Sequence, residues 1–488
     1  MQLNHLSLAQ VAQRSNASVP GYDRGALAPG IVHLGLGAFH RAHQAVYTQA
    51  VLDTGDLRWG IVGVSLRNSG TRDALAPQDN LYTVSVLDAS GERLQVIGAL
   101  TASLVAPENP QAVLAAMSDA RCHIVSLTVT EKGYCHDPAT RALRLNDPDI
   151  VHDLAHADAP RSAIGFMVRA LALRRTMGLT PFTVLSCDNL PSNGDTTRGL
   201  VLAFATAVDG QLAAWIAQFG AFPNSMVDRI VPKTTDQDRL RIAHELGVDD
   251  AWPVVTEPFS HWVIEDRFAG PCPRWQDAGA TLVAHAEPYE NAKLRMLNGS
   301  HSTLAYLGTL IGYDTVDQAM GDLLLHDFIE TMLREEIEPT LDRPGLPAYR
   351  ADLLARFRNP ALKHKLQQIA MDGSQKLPQR LLATIRARLA VNASCARLSF
   401  ALAGWMQYLA GRNDAGLGHT ISDPLAEQLQ QASVSSTDPA SRVRALLAID
   451  AVFGHDLAVN PAFDSALTVH LAAIAQHGVA AALRGLDA

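Results

Sequence analysis

A lysine, an asparagine and a histidine that can act together on one small polar molecule fall within nine residues of this sequence. Lys293, Asn298 and His301 lie in the stretch EPYENAKLRMLNGSHSTLAYLG, residues 287–308, which has the pattern of one helix. At about 100° per residue, Asn298 and His301 are turned by roughly 140° and roughly 80° from Lys293, and Glu290 by roughly 60°. We therefore predict that an amine, an amide, an imidazole and a carboxylate share one helix face. The alternative is the ordinary polar face of a surface helix.

The composition describes a globular protein without a nucleic-acid surface. The 488 residues are 48% hydrophobic and 18% charged, and the net charge is -9. Neutralising phosphates requires clustered Lys and Arg, and no basic stripe is present. No apolar run approaches the roughly 18 residues of a membrane span, and the start, MQLNHLSLAQVAQRS, lacks the pattern of a signal peptide. We expect a cytoplasmic protein with no membrane or nucleic-acid partner.

The cysteines do not form a metal-binding pattern. There are five, an odd number, and none belongs to a CxxC pair: Cys122, Cys135, Cys187, Cys272 and Cys395. A structural zinc site or a disulfide framework requires paired spacing. We predict reduced, mostly buried thiols and no metal.

Near the start of the chain, a predicted strand is followed by a glycine turn. The apolar run Ile31–Leu34 ends in GLGAFHR, residues 35–41, and a helical pattern follows. A strand that ends in glycines before a helix brings backbone N–H groups close to a pyrophosphate. The dinucleotide fingerprint has a third glycine where this chain has His40, so the match is partial.

The next strand leaves the choice between NAD and NADP open. The run WGIVGVSL, residues 59–66, predicts a buried strand, and the corner after it reads Arg67-Asn68-Ser69-Gly70. An acidic residue usually binds the adenosine ribose at this corner. Here Asn68 can bind a ribose hydroxyl, whereas Arg67 or Arg72 can bind a 2′-phosphate.

Further strands place polar residues at their carboxyl ends. Residues 81–100 predict a hairpin inserted into the sheet domain. Asn109-Pro110 begins a helix through residue 117, and a second helix covers residues 164–178. The predicted strands 123–129 and 182–186 end before Glu131 and Asn189. Because ligands bind beyond the carboxyl ends of parallel strands, we expect both residues to join Gly35 at one edge of the sheet.

The remainder predicts a second, helical domain. Beyond Glu287 helical patterns cover residues 315–334, 341–357, 360–370 and 379–389. We therefore predict an α/β fold, with a Rossmann-like NAD-binding domain with insertions at residues 1–285. A mainly α-helical substrate and catalytic domain follows at residues 286–488.

Seven ordered blocks carry a resemblance that covers nearly the whole chain. They are GLGAFHRAHQAVYT, VSLTVTEKGYC, SCDNLPSNG, FPNSMVDRIVP, EPFSHWVIED, KLRMLNGSH and MDGSQKLPQR. Together they resemble the polyol-specific long-chain dehydrogenase/reductases, the mannitol dehydrogenase family. The resemblance implies metal-free hydride transfer between a nicotinamide coenzyme, NAD by expectation, and a carbon that bears a secondary alcohol or a ketone. It also mildly favours a monomer.

The resemblance implies a role for each matching residue. Lys293 is implied to be the general acid/base, Asn189 and Asn298 to polarise the reacting oxygen, His301 to orient the substrate and Glu290 to be the proton exit. Asp228 and Lys376 are implied to bind substrate hydroxyls, and Gly35, Gly37, Phe39, His40 and Arg41 to cradle the coenzyme phosphates. These roles agree with the chemistry, since a desolvated lysine can titrate near neutral pH and amides can stabilise an alkoxide.

The substrate is expected to be a sugar acid. TEKGYC, KLRMLNGSH and IAMDGSQKLPQR are more similar to fructuronate reductases than to mannitol 2-dehydrogenases, which have a glycine in place of Lys132 and a basic residue near Gln368. A sugar acid needs a cation for its carboxylate, and Lys132 or Lys376 can provide it. Arg295 lies at roughly 200° from Lys293, away from the catalytic face. The alternative substrate is a neutral polyol such as mannitol or arabinitol.

Two alternative functions agree less well with the sequence. Tyr289-Glu290-Asn291-Ala292-Lys293 also spells the YxxxK motif of short-chain dehydrogenases, but it lies about 250 residues after the glycines, too far for one ordinary domain. A sugar-responsive NAD-binding regulator without turnover is disfavoured by the complete set of Lys293, Asn298 and His301.

Overall fold

The structure is a computed structural model that describes residues 1–137 and 140–486. The chain divides into two compact units, Met1–Glu287 and Pro288–Ala488. The sequence predicted a domain boundary between residues 285 and 286. Among the described residues, no helix is both long and apolar enough to span a membrane.

A five-stranded parallel sheet forms the centre of the first unit. The strands of this unit are β1 (Ile31–Leu34), β2 (Ile61–Ser65), β3 (Tyr82–Asp88), β4 (Gly91–Ile97), β5 (Leu100–Val105), β6 (Ile124–Leu127), β7 (Thr183–Ser186), β8 (Ser225–Asp228), β9 (Val254–Thr256), β10 (His261–Glu265) and β11 (Thr281–Val283). The central order is β5-β2-β1-β6-β7, and every neighbouring pair is parallel. Strands β1, β6 and β7 are buried along their whole length, as expected for a sheet covered on both faces. This order confirms the predicted Rossmann-like fold.

Two smaller sheets complete the first unit. Strands β3 and β4 form an antiparallel hairpin that pairs Tyr82 with Ile97 and Asp88 with Gly91. This hairpin confirms the predicted insertion, and it is extended by β9, which runs parallel to β3. In the other sheet β10 lies between β8, which is antiparallel to it, and β11, which is parallel.

Helices of the first unit pack on both faces of the central sheet and on the smaller sheets. They are α1 (Leu8–Arg14), α2 (Ala38–Ala42), α3 (Gln44–Asp53), α4 (Gly70–Leu75), α5 (Pro110–Ser118), α6 (Pro148–Ala155), α7 (Ala163–Thr176), α8 (Asn193–Val208), α9 (Gly210–Phe219) and α10 (Asp236–Leu246). Helix α5 begins as predicted, since the Asn109 side chain accepts a hydrogen bond from the Ala112 amide at 2.9 Å and Pro110 follows it. One apolar cluster packs α5, α7, α8 and α9 against the sheet, and a second packs α3 and the smaller sheets.

The second unit is helical, as predicted. Its helices are α11 (Glu287–Ala292), α12 (Gly299–Ile311), α13 (Val316–Gly321), α14 (Leu323–Thr331), α15 (Leu346–Phe357), α16 (Leu366–Ala370), α17 (Gly373–Leu377), α18 (Ala383–Ala390), α19 (Ala396–Tyr408), α20 (Ala426–Val434), α21 (Pro439–Leu447), α22 (Asp450–Ala458), α23 (Pro461–His477) and α24 (Val479–Arg484). Three π-helical segments interrupt the α-helical pattern, at Lys293–Asn298, Met332–Ile337 and Pro378–Leu382.

Three helix predictions in this unit were wrong in extent. Residues 341–357 are helical only over Leu346–Phe357, after Gly345 with φ of 75°. Residues 315–334 do not form one helix, because Asp322 has extended backbone angles and its side chain accepts a hydrogen bond from the Leu324 amide at 2.9 Å, beginning a new helix. Residues 360–370 are helical only over Leu366–Ala370. Lys363 has φ of 41°, and Lys365 pairs with Thr315 in an isolated bridge.

Candidate active site

The carboxyl edge of the central sheet gathers three of the loops that the sequence indicated. Strands β1, β6 and β7 are neighbours, and Gly35 and Asn189 follow the first and the last of them. Gly35 has φ of +94°, and a Cβ atom there would lie 2.1 Å from the Thr128 carbonyl oxygen. The Thr128 hydroxyl donates to the Gly35 carbonyl at 2.9 Å, so the loops after β1 and β6 are joined. Only glycine fits this close approach.

A cavity of about 280 Å³ lies at this edge. The predicted coenzyme residues Gly35, Gly37 and Asn68 line it, together with residues of the loop after β6 and of the start of α7. Gly37 is the N-cap of α2, and a Cβ atom there would meet nothing closer than the Gly35 carbonyl oxygen at 3.7 Å. The glycine turn is thus open on the cavity side, which is the fit that a pyrophosphate requires.

Asp188, which the sequence analysis did not single out, fixes the loop that borders this cavity. Its carboxylate accepts hydrogen bonds from the amides of Val129 at 2.9 Å and Thr130 at 3.1 Å, and from the Tyr134 hydroxyl at 2.8 Å. Burial raises the pKa of Asp188. Thr130 has φ of 63° and ψ of 165°, a region that residues other than glycine rarely adopt, so the loop is strained where Asp188 binds it. An acidic residue two positions after a buried strand was the available signal.

The structure does not support phosphate contacts from the side chains of His40 and Arg41. The His40 ring is buried and stacks on His33 with ring centroids 3.5 Å apart, and burial lowers its pKa well below the usual value. Arg41 donates to the Trp252 carbonyl, and its guanidinium lies over the Tyr82 ring. Neither side chain lines the cavity, so only the backbone of this stretch remains available to a phosphate.

Three further predicted residues lie around the same edge. Phe39 is half-buried and stacks on His43, with ring centroids 5.0 Å apart. Glu131 and Lys132 are exposed in the 3-10 turn Glu131–Tyr134, and neither lines the cavity. Their predicted roles rest on the sequence alone.

The predicted substrate residues of the first unit lie near β7 and β8. Asn189 is exposed in the loop after β7, and Asp228 is the buried last residue of β8. The Asn193 amide joins the two strands, since it donates to the carbonyl oxygens of Ser186 at 3.2 Å and Ser225 at 2.9 Å. Sequence reasoning missed Asn193, whose position in SCDNLPSNG carries no distinct signal.

In the second unit, Lys293 and Asn298 are the first and last residues of a π-helical segment. In a π turn the hydrogen bonds join residues five apart, so Lys293 and Asn298 follow one another along the same side of the helix. The angle of roughly 140° that an α-helix would give was therefore wrong. The helix before it carries Glu290, which is half-buried, and the helix after it carries His301. π-helical turns inside α-helices occur frequently at functional sites.

Contacts from a second π-helical segment hold this one in place. Arg380, in Pro378–Leu382, donates from Nη1 to the Ser302 hydroxyl at 3.0 Å and to the Asn298 carbonyl at 3.5 Å. A Cβ atom on Gly299 would lie 3.0 Å from the Arg380 carbonyl oxygen, so the two segments pack closely. Lys293 is 7% exposed, which removes most of its hydration.

His301 and Lys376 are held by their own neighbours. The His301 ring is 7% exposed and lies between Phe357, at 4.6 Å between centroids, and His364, at 5.5 Å. Lys376 donates to the Met371 carbonyl at 2.6 Å, and burial together with the positive charge of Arg380 lowers its pKa. Gln368 is exposed on α16. His364 and Arg380 were missed, because nothing in the sequence relates them to the Lys293 helix.

Within residues 1–137 and 140–486, no group of three or more His, Cys, Asp or Glu side chains is arranged to hold a metal ion. All five cysteines are free, and Cys122, Cys135 and Cys187 are buried.

A parallel sheet of Rossmann order with an open glycine turn defines a dinucleotide-binding fold. Two family models match the chain in the same order. The model of the mannitol dehydrogenase Rossmann domain matches residues 29–277, and that of the mannitol dehydrogenase C-terminal domain matches residues 285–475. The chain belongs to the mannitol dehydrogenase family, as the sequence resemblance predicted.

Individual relatives agree over nearly the full length. The chain is 45% identical to D-mannonate oxidoreductase of Escherichia coli over 94% of this chain and 96% of that protein. It is 42% identical to mannitol 2-dehydrogenase of Phaeosphaeria nodorum over 99% of this chain and 85% of that protein. The structure of Pseudomonas fluorescens mannitol 2-dehydrogenase, a ternary complex with NAD and D-mannitol, matches with a TM-score of 0.86 and 39% identity over 100% of this chain and 99% of that one.

Proposed function

We propose that this protein interconverts D-fructuronate and D-mannonate with NAD(H) as coenzyme. Two relatives support this proposal, one for the substrate and one for the coenzyme. One is named D-mannonate oxidoreductase, and a solved relative contains NAD. The first unit binds the coenzyme at the glycine turn, where the bound nicotinamide accepts or supplies the hydride. The second unit supplies the lysine that moves the proton.

Lys293 acts as the general acid/base in this proposal. In the oxidation direction the neutral amine takes the proton of the substrate hydroxyl, and in reduction the ammonium returns it to the ketone oxygen. Only the neutral amine can take this proton, so oxidation requires the unprotonated form of the lysine. The Asn298 amide then donates to the same oxygen and stabilises its developing negative charge. His301 orients the substrate, and Glu290 passes the proton to solvent.

The proposal of a sugar acid rests on a pair of neighbouring cations. Lys376 and Arg380 lie one turn apart, and among the described residues no carboxylate lies within ion-pair distance of the Arg380 guanidinium. The closest carboxylate to the Lys376 ammonium is that of Asp372, at 3.9 Å. Two adjacent, partly desolvated cations repel one another, and a substrate carboxylate would relieve this repulsion. The alternative, a neutral polyol such as mannitol or arabinitol, leaves the repulsion in place.

The assay compares D-fructuronate and D-fructose as acceptors with NADH. We expect a higher kcat/KM for fructuronate. Lys376→Gln should lower this value by about tenfold or more, because a charge-assisted hydrogen bond contributes about 1.5–3 kcal/mol, and should change the value for fructose less. Lys365→Gln, at an exposed lysine of the same unit, is the control. A higher kcat/KM for fructose in the parent protein would select the neutral-polyol alternative.

A further inference from the structure

The corner after β2 contains two arginines, and both are already paired with carboxylates. Arg67 Nη2 donates to Asp149 Oδ2 at 2.9 Å. Arg72 donates from Nε to Asp73 at 2.8 Å and from Nη2 to Glu108 at 3.2 Å. Three carboxylates thus oppose two guanidinium groups at the corner where a Rossmann fold binds the adenosine ribose.

Arg161, which precedes α7, also lines the cavity at the glycine turn, but of the two arginines of this corner only Arg67 faces the coenzyme site. It lines the cavity at the glycine turn and also an adjoining cavity of about 390 Å³, which extends past the end of β5 towards Pro110. Arg72 lines neither cavity. A 2′-phosphate on the ribose would therefore approach Arg67 and, with it, Asp149.

Asp149 is held more firmly than its partner. It lies in the first turn of α6, and its backbone amide donates to the Asp147 side chain at 3.1 Å. Its side chain is 21% exposed, whereas that of Arg67 is 66% exposed. A carboxylate in the first turn of a helix is also stabilised by the helix dipole. The more buried member of the pair is the anion, so the carboxylate keeps its place when the arginine side chain moves.

The buried thiol of Cys135 lies near the carboxylates of Asp147 and Asp149. Burial raises the pKa of Cys135 to about 12, and the carboxylates of Asp147 and Asp149 add to the rise. The opposing effect of Arg67 is the smallest of the contributions.

We propose that Asp149 determines the preference of this site for NAD(H) over NADP(H). It does so by pairing with Arg67, a cation of this cavity that would otherwise bind a 2′-phosphate, and by placing a fixed carboxylate where that phosphate would approach. This inference rests on the proposed coenzyme site at the glycine turn. Asn68, beside Arg67 on the same cavity, remains available to the two hydroxyls of an unphosphorylated ribose.

The test measures the equilibrium binding of NADH and of NADPH to the full chain, by titration calorimetry or by quenching of tryptophan fluorescence. The parent protein should bind NADH more tightly than NADPH by about tenfold or more. Asp149→Asn should reduce the ratio of the two dissociation constants by about tenfold, about 1.4 kcal/mol. Arg67→Met in the Asp149→Asn background should reverse this gain, because the freed guanidinium is what binds the phosphate.

Glu108→Gln is the matched control. It removes a carboxylate from the other arginine of the corner, which does not line the cavity, so the ratio should stay that of the parent. The discrimination of the parent should also weaken as salt rises, since exposed charges are screened within about 10 Å at 0.1 M salt.

The outcomes separate the inference from the proposed function. If the parent binds NADH but Asp149→Asn leaves the ratio unchanged, or Glu108→Gln changes it equally, the role of Asp149 is refuted while the coenzyme site stands. If the parent binds neither dinucleotide, the proposed function fails and the inference fails with it.

Discussion

At the scale of single residues, Lys293 combines burial with a position at the start of a π-helical segment. Tyr289, which would be the acid in a YxxxK enzyme, has a different environment: the Arg343 guanidinium lies 4.9 Å from the centre of its ring. A ring that supports a cation needs no hydroxyl, and phenylalanine can replace it in this contact. Substitution of Lys293 and of Tyr289 therefore distinguishes a lysine acid/base from the tyrosine acid of a YxxxK enzyme.

We expect Lys293→Ala to keep the fold and to lose about 10²–10⁴-fold in kcat, the usual contribution of a general base. Its alcohol oxidation should no longer rise with pH, because the titrating base is gone. Steady-state kinetics over a pH series, with circular dichroism to check folding, measure both effects. Tyr289→Phe is the control and should stay active. A Lys293→Ala enzyme that keeps more than about a tenth of the parent turnover, a difference below about 1.4 kcal/mol, would make Lys293 a spectator.

At the scale of elements, the π-helical segments place the polar residues of the second unit. A regular α-helix through Lys293–Asn298 would place Asn298 roughly 140° around the helix from Lys293, at the margin of a shared face, whereas the π turn brings the two closer together in direction. Arg380 and Gly299 hold this geometry from a second π-helical segment, Pro378–Leu382. Two irregular segments that pack together are unlike a surface helix with a polar face.

Gly299→Ala should therefore disturb activity more than stability. Its new methyl group would lie 3.0 Å from the Arg380 carbonyl oxygen, which shifts the segment that carries Asn298. Because a displacement of 1 Å can lower a rate by about 10²-fold, we expect a loss of at least about tenfold in kcat. Gly321→Ala is the control, since a Cβ atom there meets nothing within 4 Å, and it should leave the kinetics unchanged. Equal kinetics for the two variants would contradict this role of the π-helical packing.

At the scale of the whole molecule, stability depends on buried histidines beneath the glycine turn. Burial lowers the pKa of His33 to about 3 and that of His40 well below its usual value. The unfolded chain binds protons on both near its ordinary pKa of about 6.5, while the folded chain does not. Below that pH the unfolded state holds more protons, so the free energy of unfolding falls as the pH falls, by up to about 1.4 kcal/mol per pH unit for each histidine.

We expect His40→Phe to make the pH dependence of unfolding less steep between about pH 7 and pH 5, because one titrating group is removed. Urea unfolding of parent and variant across this range measures the difference. The buried carboxyl groups of Asp188 and Asp250, whose pKa values are raised, give a slope of opposite sign in both proteins and cancel in the comparison. His285→Gln, at an exposed histidine, should leave the slope unchanged. A parent-like slope for His40→Phe would show that His40 is protonated in the folded state.

The sequence by itself determined the family, the two-part architecture and four of the buried central strands, because buried parallel strands are continuous apolar runs. It did not predict the order of the strands in the sheet, nor β5 as one of them. It predicted that Gly35, Glu131 and Asn189 meet at one edge of the sheet. The cavity there is lined by Gly35 together with Gly37 and Asn68, two other predicted coenzyme residues, but not by Glu131 or Asn189. The sequence did not show that the Lys293 helix contains a π turn. That geometry depends on the packing of Gly299 against Arg380, and these two residues are remote from each other in the sequence. Nor did the sequence indicate that His40 and Arg41 are buried or that Asp149 pairs with Arg67, since such contacts join residues far apart in the chain and only tertiary packing selects them.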